Sequence, residues 1–226
     1  MFKEQHCLKC AVAIGVYALS APAWAQDWSG AYYGGGLGFG SGSYEQGVEA
    51  LDQAGVGVDV SGLIYSGHAG INFQSGAFII GVDAGLSNGP TGITEQGTTG
   101  PIYSCISGDC YVDINMLGTL RGRIGFVTDI RTMVYGAGGI AVAEVEGGIR
   151  NSGQEGSSTA TGVTYAVGVE RITSPFSTIF AEVGYYDLGT LAFGTNEDID
   201  PPPVTVDDFT GVGDFVTIRA GINFKF

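Results

Sequence analysis

A chain of 226 residues with 40 glycines, a mean hydropathy of +0.22 and a formal net charge of −14 is long enough for one domain, or at most two. The apolar balance excludes a disordered polar chain, and glycine without a three-residue period excludes collagen. The acidic charge argues against a nucleic-acid partner, because phosphate binding calls for Lys and Arg.

The first residues have the layout of a secretory leader. Lys3 and Lys9 bracket a short charged start, an apolar run follows from Cys10 to Leu19, and Ser20 to Ala25 reads SAPAWA. Ala23 and Ala25 occupy the small-residue positions of a signal-peptidase site. The apolar run is about half of what a helix needs to cross a bilayer. The predicted division is therefore a signal peptide over 1–25 and a single mature domain over 26–226. Cleavage removes Cys7 and Cys10 and leaves Cys105 and Cys110, five apart in CISGDC. In an oxidising compartment that spacing predicts a local disulfide. The mature chain keeps one histidine, His68, too few ligands for a structural zinc site, so no metal or cofactor is expected.

Period-two alternation dominates the mature chain. Trp28 to Gly40 is glycine-rich and alternates weakly. From Leu63 to Phe73, the residues Leu63, Tyr65, Ala69, Ile71 and Phe73 oppose Ser66, His68 and Asn72. From Ala77 to Leu86, Phe78, Ile80, Val82, Ala84 and Leu86 oppose Asp83. From Ile114 to Phe126, Met116, Leu120, Ile124 and Phe126 oppose Asn115, Thr119, Arg121 and Arg123. Met133 to Glu144 is again rich in glycine. Val163, Tyr165, Val167 and Val169 then oppose Thr164 and Glu170, and Ile179, Ala181, Val183 and Tyr185 oppose Glu182 and Tyr186. The last segment is the clearest: Val216, Ile218, Ala220, Ile222, Phe224 and Phe226 on one face, with Thr217, Arg219, Asn223 and Lys225 on the other.

Eight strands result, joined by short turns at 74–76, 128–130 and 173–177 and by long polar loops near 42–60, 88–112, 147–160 and 190–213. Short turns on one side and long loops on the other is the layout of an outer-membrane barrel, in which the apolar face meets lipid and the polar face meets the lumen. The predicted fold is all-β: an eight-stranded antiparallel transmembrane up-and-down β-barrel. Eight strands leave an interior just wide enough for side chains to fill.

The inward face then carries Asp83, Arg121, Arg123, Glu170, Glu182, Arg219 and Lys225. In a narrow, partly dry space these charges must pair. A salt-bridged plug is the favoured reading, and a charge-lined eyelet for small solutes is the alternative. His68 falls on the same face beside Ser66 and Asn72, which suits a lumen polar residue better than a catalytic base, so no enzyme activity is expected. Gly34–Gly35–Gly36 lacks the Gly-Lys-Ser/Thr and the helix of a phosphate loop. Trp28, Tyr32, Tyr33, Phe73, Phe126, Phe176, Phe224 and Phe226 are expected in an aromatic girdle at the periplasmic ends of the strands. Acid concentrates in the loops, at Glu45, Glu49, Asp52, Asp59, Glu95 and Asp109, and again at Glu197, Asp198, Asp200, Asp207 and Asp208. Such loops keep the exposed surface soluble; they also suit divalent cations bridging to lipopolysaccharide phosphates, although no calcium-loop motif is present.

In their order, WSGAYYGGGLGFG (28–40), LGTLRGRIGF (117–126), MVYGAGGIAVAEVEG (133–147), TYAVGVERI (164–172), FAEVGYYDLG (180–189) and TIRAGINFKF (217–226) resemble the small porin-like outer-membrane proteins of alphaproteobacteria, the RopB-type surface antigens with an OmpA-like barrel. The resemblance covers nearly every predicted strand and little of the loops. It implies an eight-stranded barrel in the cell outer membrane, in contact with lipid and lipopolysaccharide. It further implies escort by periplasmic chaperones and insertion by the barrel-assembly machinery through a terminal signal at Ile222, Phe224 and Phe226. The function it implies is envelope integrity and surface display, with a narrow porin or loop-mediated binding of a ligand or host factor as alternatives. The Cys105–Cys110 loop departs from the family pattern.

Overall fold

In lipid, every backbone N–H and C=O must be bonded within the protein, which strands achieve only by closing on themselves. The computed structural model describes residues 27–48, 55–94, 97–99, 105, 108–150, 154–192 and 209–226 and shows that closure. The strands are β1 (Gly30–Val48), β2 (Val56–Ser75), β3 (Phe78–Ser87), β4 (Thr91–Thr94), β5 (Cys110–Asp129), β6 (Thr132–Ile149), β7 (Gln154–Ser174), β8 (Ser177–Ala192) and β9 (Phe209–Lys225). All pairings are antiparallel, and β1 pairs with both β2 and β9, so the ring has no free edge. The predicted leader lies outside the described residues.

Among the described residues, nine strands fill eight places because β3 and β4 share one, between β2 and β5. Asn88–Gly89–Pro90 separates them, and Pro90 has no N–H to give the ladder. The Asn88 side chain stands in for the missing pairing. Its Oδ1 accepts from Tyr65 N at 2.8 Å and its Nδ2 donates to Leu63 O at 2.7 Å. Gly89 N bonds Ile114 O at 3.0 Å. On β5 the register shifts between Ile114 and Met116, and Asn115 is left exposed. This corrects the expectation of Asn115 on the lumen face: a bulge adds one residue and throws the local alternation out of phase.

Hairpin turns fall where the sequence places them, at 76–77, 130–131 and 175–176. Two of the long connections are shorter than expected. β1 and β2 pair up to Gln46↔Val56, and β6 and β7 up to Ile149↔Gln154. Most of 42–60 and 147–160 is therefore strand. Part of 88–112 is strand as well, since β4 pairs with β5 through Thr94↔Cys110.

The reason lies in a phase switch along the strands. Towards the turns, apolar side chains point outward: Leu63, Ile71 and Phe73 on β2, Val134 and Ile140 on β6, Ile218 and Phe224 on β9, all exposed. Towards the loops they point inward: Val56, Val58 and Val60 on β2, Ala141, Ala143 and Val145 on β6, Phe215 on β9, all buried. There the outward positions are Asp59, Ser61, Glu144, Glu146 and Asp214. The outward apolar band runs from Phe78 to Leu86 on β3 and from Val216 to Phe224 on β9. About nine residues at a tilt of about 40° rise roughly 23 Å, the height of a membrane belt. Beyond it the barrel continues with the inside-out logic of a water-soluble barrel.

Candidate functional site: the barrel interior

Inward positions along the barrel hold three layers. At the turn end, Trp28 is buried with Ile79, Met133, Tyr135 and Ile172, and its backbone N donates to Gln74 Oε1 at 2.7 Å. Trp28 and Tyr32 are both buried, which corrects their expected place in the girdle. Tyr33, Phe73, Phe126, Phe176, Phe224 and Phe226 do lie exposed near that end. The girdle prediction failed where an aromatic falls on the inward parity.

Above this cap, six charged side chains meet. Glu182 Oε1 accepts from Arg121 Nη1 at 2.9 Å and from Arg219 Nε and Nη2 at 2.9 and 2.5 Å. Glu182 Oε2 accepts from Tyr135 OH at 2.9 Å. Arg121 Nε also donates to Asp83 Oδ1 at 2.9 Å. Beside them, Arg123 Nη2 pairs with Glu170 Oε2, and Glu170 Oε1 accepts from Thr178 Oγ1 at 2.5 Å and Asn223 Nδ2 at 2.9 Å. The Arg123 guanidinium lies 3.7 Å from the Tyr135 ring centroid, within cation–π range. Three arginines thus face three carboxylates, all buried. His68 Nε2 is 2.7 Å from Asn223 Oδ1, and its ring meets Phe180 edge-on.

Inward glycines make room for these side chains. A β-carbon at Gly168 would overlap the Tyr135 ring, and one at Gly34 would overlap the Asn223 amide. The space left among the charged and polar groups is about 10 Å³, roughly enough for one water.

Lys225 does not join this network. It sits at the rim, where its Nζ donates to the Asp27 carbonyl. The strand ends there, so its side chain reaches the N-terminal segment before it can reach Glu170. The Asp27 carboxyl is held below the ordinary carboxylate range, chiefly by the Ser29 N–H bonded to Oδ1 at 2.8 Å.

The third layer seals the loop end. Tyr44, Val58, Val112, Ile114, Leu117, Val145, Leu188 and Phe215 belong to one buried cluster, with Tyr186 stacked on Phe215 at 4.8 Å. Cys105 and Cys110 form a disulfide inside this cluster, both fully buried. Gln46 reaches in as well, its Nε2 donating to Tyr111 O at 2.5 Å. The two cysteines therefore face inward at the mouth.

This construction matches a described family. The description "Outer membrane protein beta-barrel domain" fits residues 11–226. The chain belongs to that family. It is 26% identical over 225 residues to the 31 kDa outer-membrane immunogenic protein of Brucella melitensis and, equally, to that of Brucella suis, covering 92% of this chain and 87% of each relative. Among solved structures it is similar to Neisserial surface protein A, at 14% identity and a TM-score of 0.49, over 88% of this chain and 98% of that one. It is also similar to OprG from Pseudomonas aeruginosa, at 12% identity and a TM-score of 0.49, over 89% and 98%. Family membership and the outer-membrane Brucella relatives give the outer membrane as the protein's location, in agreement with the sequence expectation.

Asp83, Arg121, Arg123, Glu170, Glu182 and Arg219 stand together in the lumen. The terminal Ile222, Phe224 and Phe226 are exposed on the lipid side of β9 or at its end. Sequence reasoning missed Tyr32, Tyr135, Thr178 and Asn223 as partners of the charges. Their signal was inward parity: Tyr32 faces Gly70, Tyr135 faces Gly125 and Gly168, and Asn223 faces Gly34 and Thr178. Of the acidic loop residues, Glu49, Asp52, Glu95, Glu197, Asp198, Asp200, Asp207 and Asp208 lie outside the described residues.

Proposed function

We propose that this protein is a closed barrel that supports the envelope and displays its acidic loops at the cell surface, with its short turns towards the periplasm. The carrying observation is the filling of the lumen. A charge-balanced arginine–carboxylate network leaves about 10 Å³ of free space, between an apolar cap and an apolar outer core. An ion entering would have to displace paired charges and then cross a mostly apolar layer, with too few polar groups to replace its water shell. Display accords with the Brucella relatives, which are named immunogenic. Insertion by the barrel-assembly machinery, after escort by periplasmic chaperones, through Ile222, Phe224 and Phe226 belongs to the same reading. Protein purified from outer membranes and added to planar bilayers should give no stable unitary openings. Regular openings of one conductance would refute the closed lumen and favour the narrow porin.

A second reading rests on the outward acid just beyond the belt. Glu45, Asp59, Glu144, Glu146, Asp187 and Asp214 are exposed there, where lipopolysaccharide phosphates lie. Divalent cations would join the two, since Ca²⁺ and Mg²⁺ prefer oxygen ligands. Calcium titration of wild type against a variant with these six neutralised tests it, and equal calcium uptake would sink it.

A further inference from the structure

Exposed cations gather at the end of the barrel opposite this acid. Arg131 sits in the β5–β6 turn and Arg171 faces outward on β7, paired across the sheet with Thr132. The two arginines are tied by the backbone, Ile172 N donating to Arg131 O at 2.8 Å. Arg171 Nη1 donates to Thr132 Oγ1 at 3.2 Å. Asp129 is close by: its Oδ1 accepts from the Arg131 backbone N–H at 2.8 Å, and its carboxylate attracts Arg171 through space. Among the described residues, neither guanidinium has a carboxylate within ion-pair distance. Both therefore keep donors free for an anion.

An apolar groove of about 720 Å³ begins next to them. Its lining includes Phe126, Val134, Gly136, Val167, Val169 and Ala181. Val169 and Val167 continue the outward row of β7 directly above Arg171. Val169 pairs with Val134 and Ala181, and Val167 with Gly136, so small residues hollow the wall beside the row. A β-carbon at Gly136 would meet its nearest neighbour only at 3.9 Å, so the hollow is open to the lipid.

We propose that this surface holds one anionic glycerophospholipid of the periplasmic leaflet, its phosphate between Arg131 and Arg171 and an acyl chain in the groove at Gly136 and Ala181. The two guanidinium groups match a phosphate that carries net charge, because planar N–H forks bind phosphate oxygens in pairs. A zwitterionic headgroup brings its own ammonium and gains less. The exposed Ile130 and Phe176 extend apolar contact into the interface at the same level. The leaflet assignment rests on the orientation proposed above.

Protein from outer membranes, delipidated in detergent, is titrated with phosphatidylglycerol and with phosphatidylethanolamine and read by native mass spectrometry. One phosphatidylglycerol should be retained in clear preference to phosphatidylethanolamine. Arg131→Gln with Arg171→Gln should weaken that retention by roughly fivefold per arginine and weaken phosphatidylethanolamine retention by less. Gly136→Leu, which fills the groove from outside, should weaken both lipids. Heat-modifiable gel mobility confirms that each variant is folded. Equal retention of the two lipids by wild type, or phosphatidylglycerol retention unchanged in the double arginine variant, would overturn the site. Labelling of Ile130→Cys by an impermeant maleimide in intact cells would instead place the turns outside, overturning the leaflet and the orientation. Neither outcome touches the conductance result.

Discussion

Glu182 is where the lumen network is most concentrated, so Glu182→Gln is its sharpest test. One carboxylate there accepts from two arginines through Oε1 and from Tyr135 through Oε2. Glutamine keeps the shape, so no cavity forms. It leaves three arginines facing two carboxylates, and it turns one acceptor into an NH₂ that points at existing donors. Removing one partner from a buried ion pair costs about 3–5 kcal/mol, because the remaining charge stays buried. With a urea dependence of about 1–3 kcal/mol per molar, the unfolding midpoint should fall by roughly 1–5 M. Reversible unfolding in detergent micelles, followed by Trp28 fluorescence and by gel mobility, measures it. Arg219→Gln added to Glu182→Gln should recover part of the loss by restoring two charges against two. A Glu182→Gln midpoint within experimental error of wild type would refute a network that holds the barrel shut, and so would a double variant that simply sums two losses.

The membrane belt and the outer extension should respond oppositely to the same change. Val82→Arg, on the lipid face near the middle of β3, should cost about 2–4 kcal/mol in vesicle refolding, whereas Thr159→Arg, outward on β7 beyond the belt, should cost close to nothing. Equal costs would place the belt wrongly. Cys105→Ser with Cys110→Ser opens a short loop, whose closure is worth about 2 kcal/mol by chain entropy. The thermal midpoint should drop by several degrees, and folded wild type should show no free thiol by mass after alkylation; a full count of alkylated cysteines would contradict the bridge.

Most of the belt could be read directly. A charge among apolar neighbours at period two, such as Asp83 between Val82 and Ala84 or Arg219 between Ile218 and Ala220, has only one face to go to, and the structure places each inward. The CISGDC pair was equally local. What escaped notice depends on partners far away in sequence. Tyr135 is an unremarkable aromatic until Gly168 opposite it leaves room for the ring, and Arg123 then stacks on it. The Asn115 bulge on β5 and the Asn88 patch to β2 flank the same break between β3 and β4, and neither residue announces this alone.

The largest error, reading 42–60 and 147–160 as loops, has one physical cause. A pattern defined by apolar residues outward does not recognise strands beyond the belt, where the sign reverses. Val56–Gly57–Val58–Asp59–Val60 alternates as strictly as Ile218–Arg219–Ala220, with its apolar set turned in. The reversal falls between Ser61 and Leu63 on β2, between Val142 and Glu144 on β6 and between Asp214 and Val216 on β9. On each strand the outward position changes from a residue that wants water to one that wants lipid, so the switch marks the loop-side face of the membrane. The lumen changes character near the same height, from paired charge to an apolar core. Inside the belt the wall is held by lipid outside, and polar contents can fix the register; beyond it water surrounds the wall, and only an apolar interior supplies the hydrophobic stabilisation that keeps the extension closed.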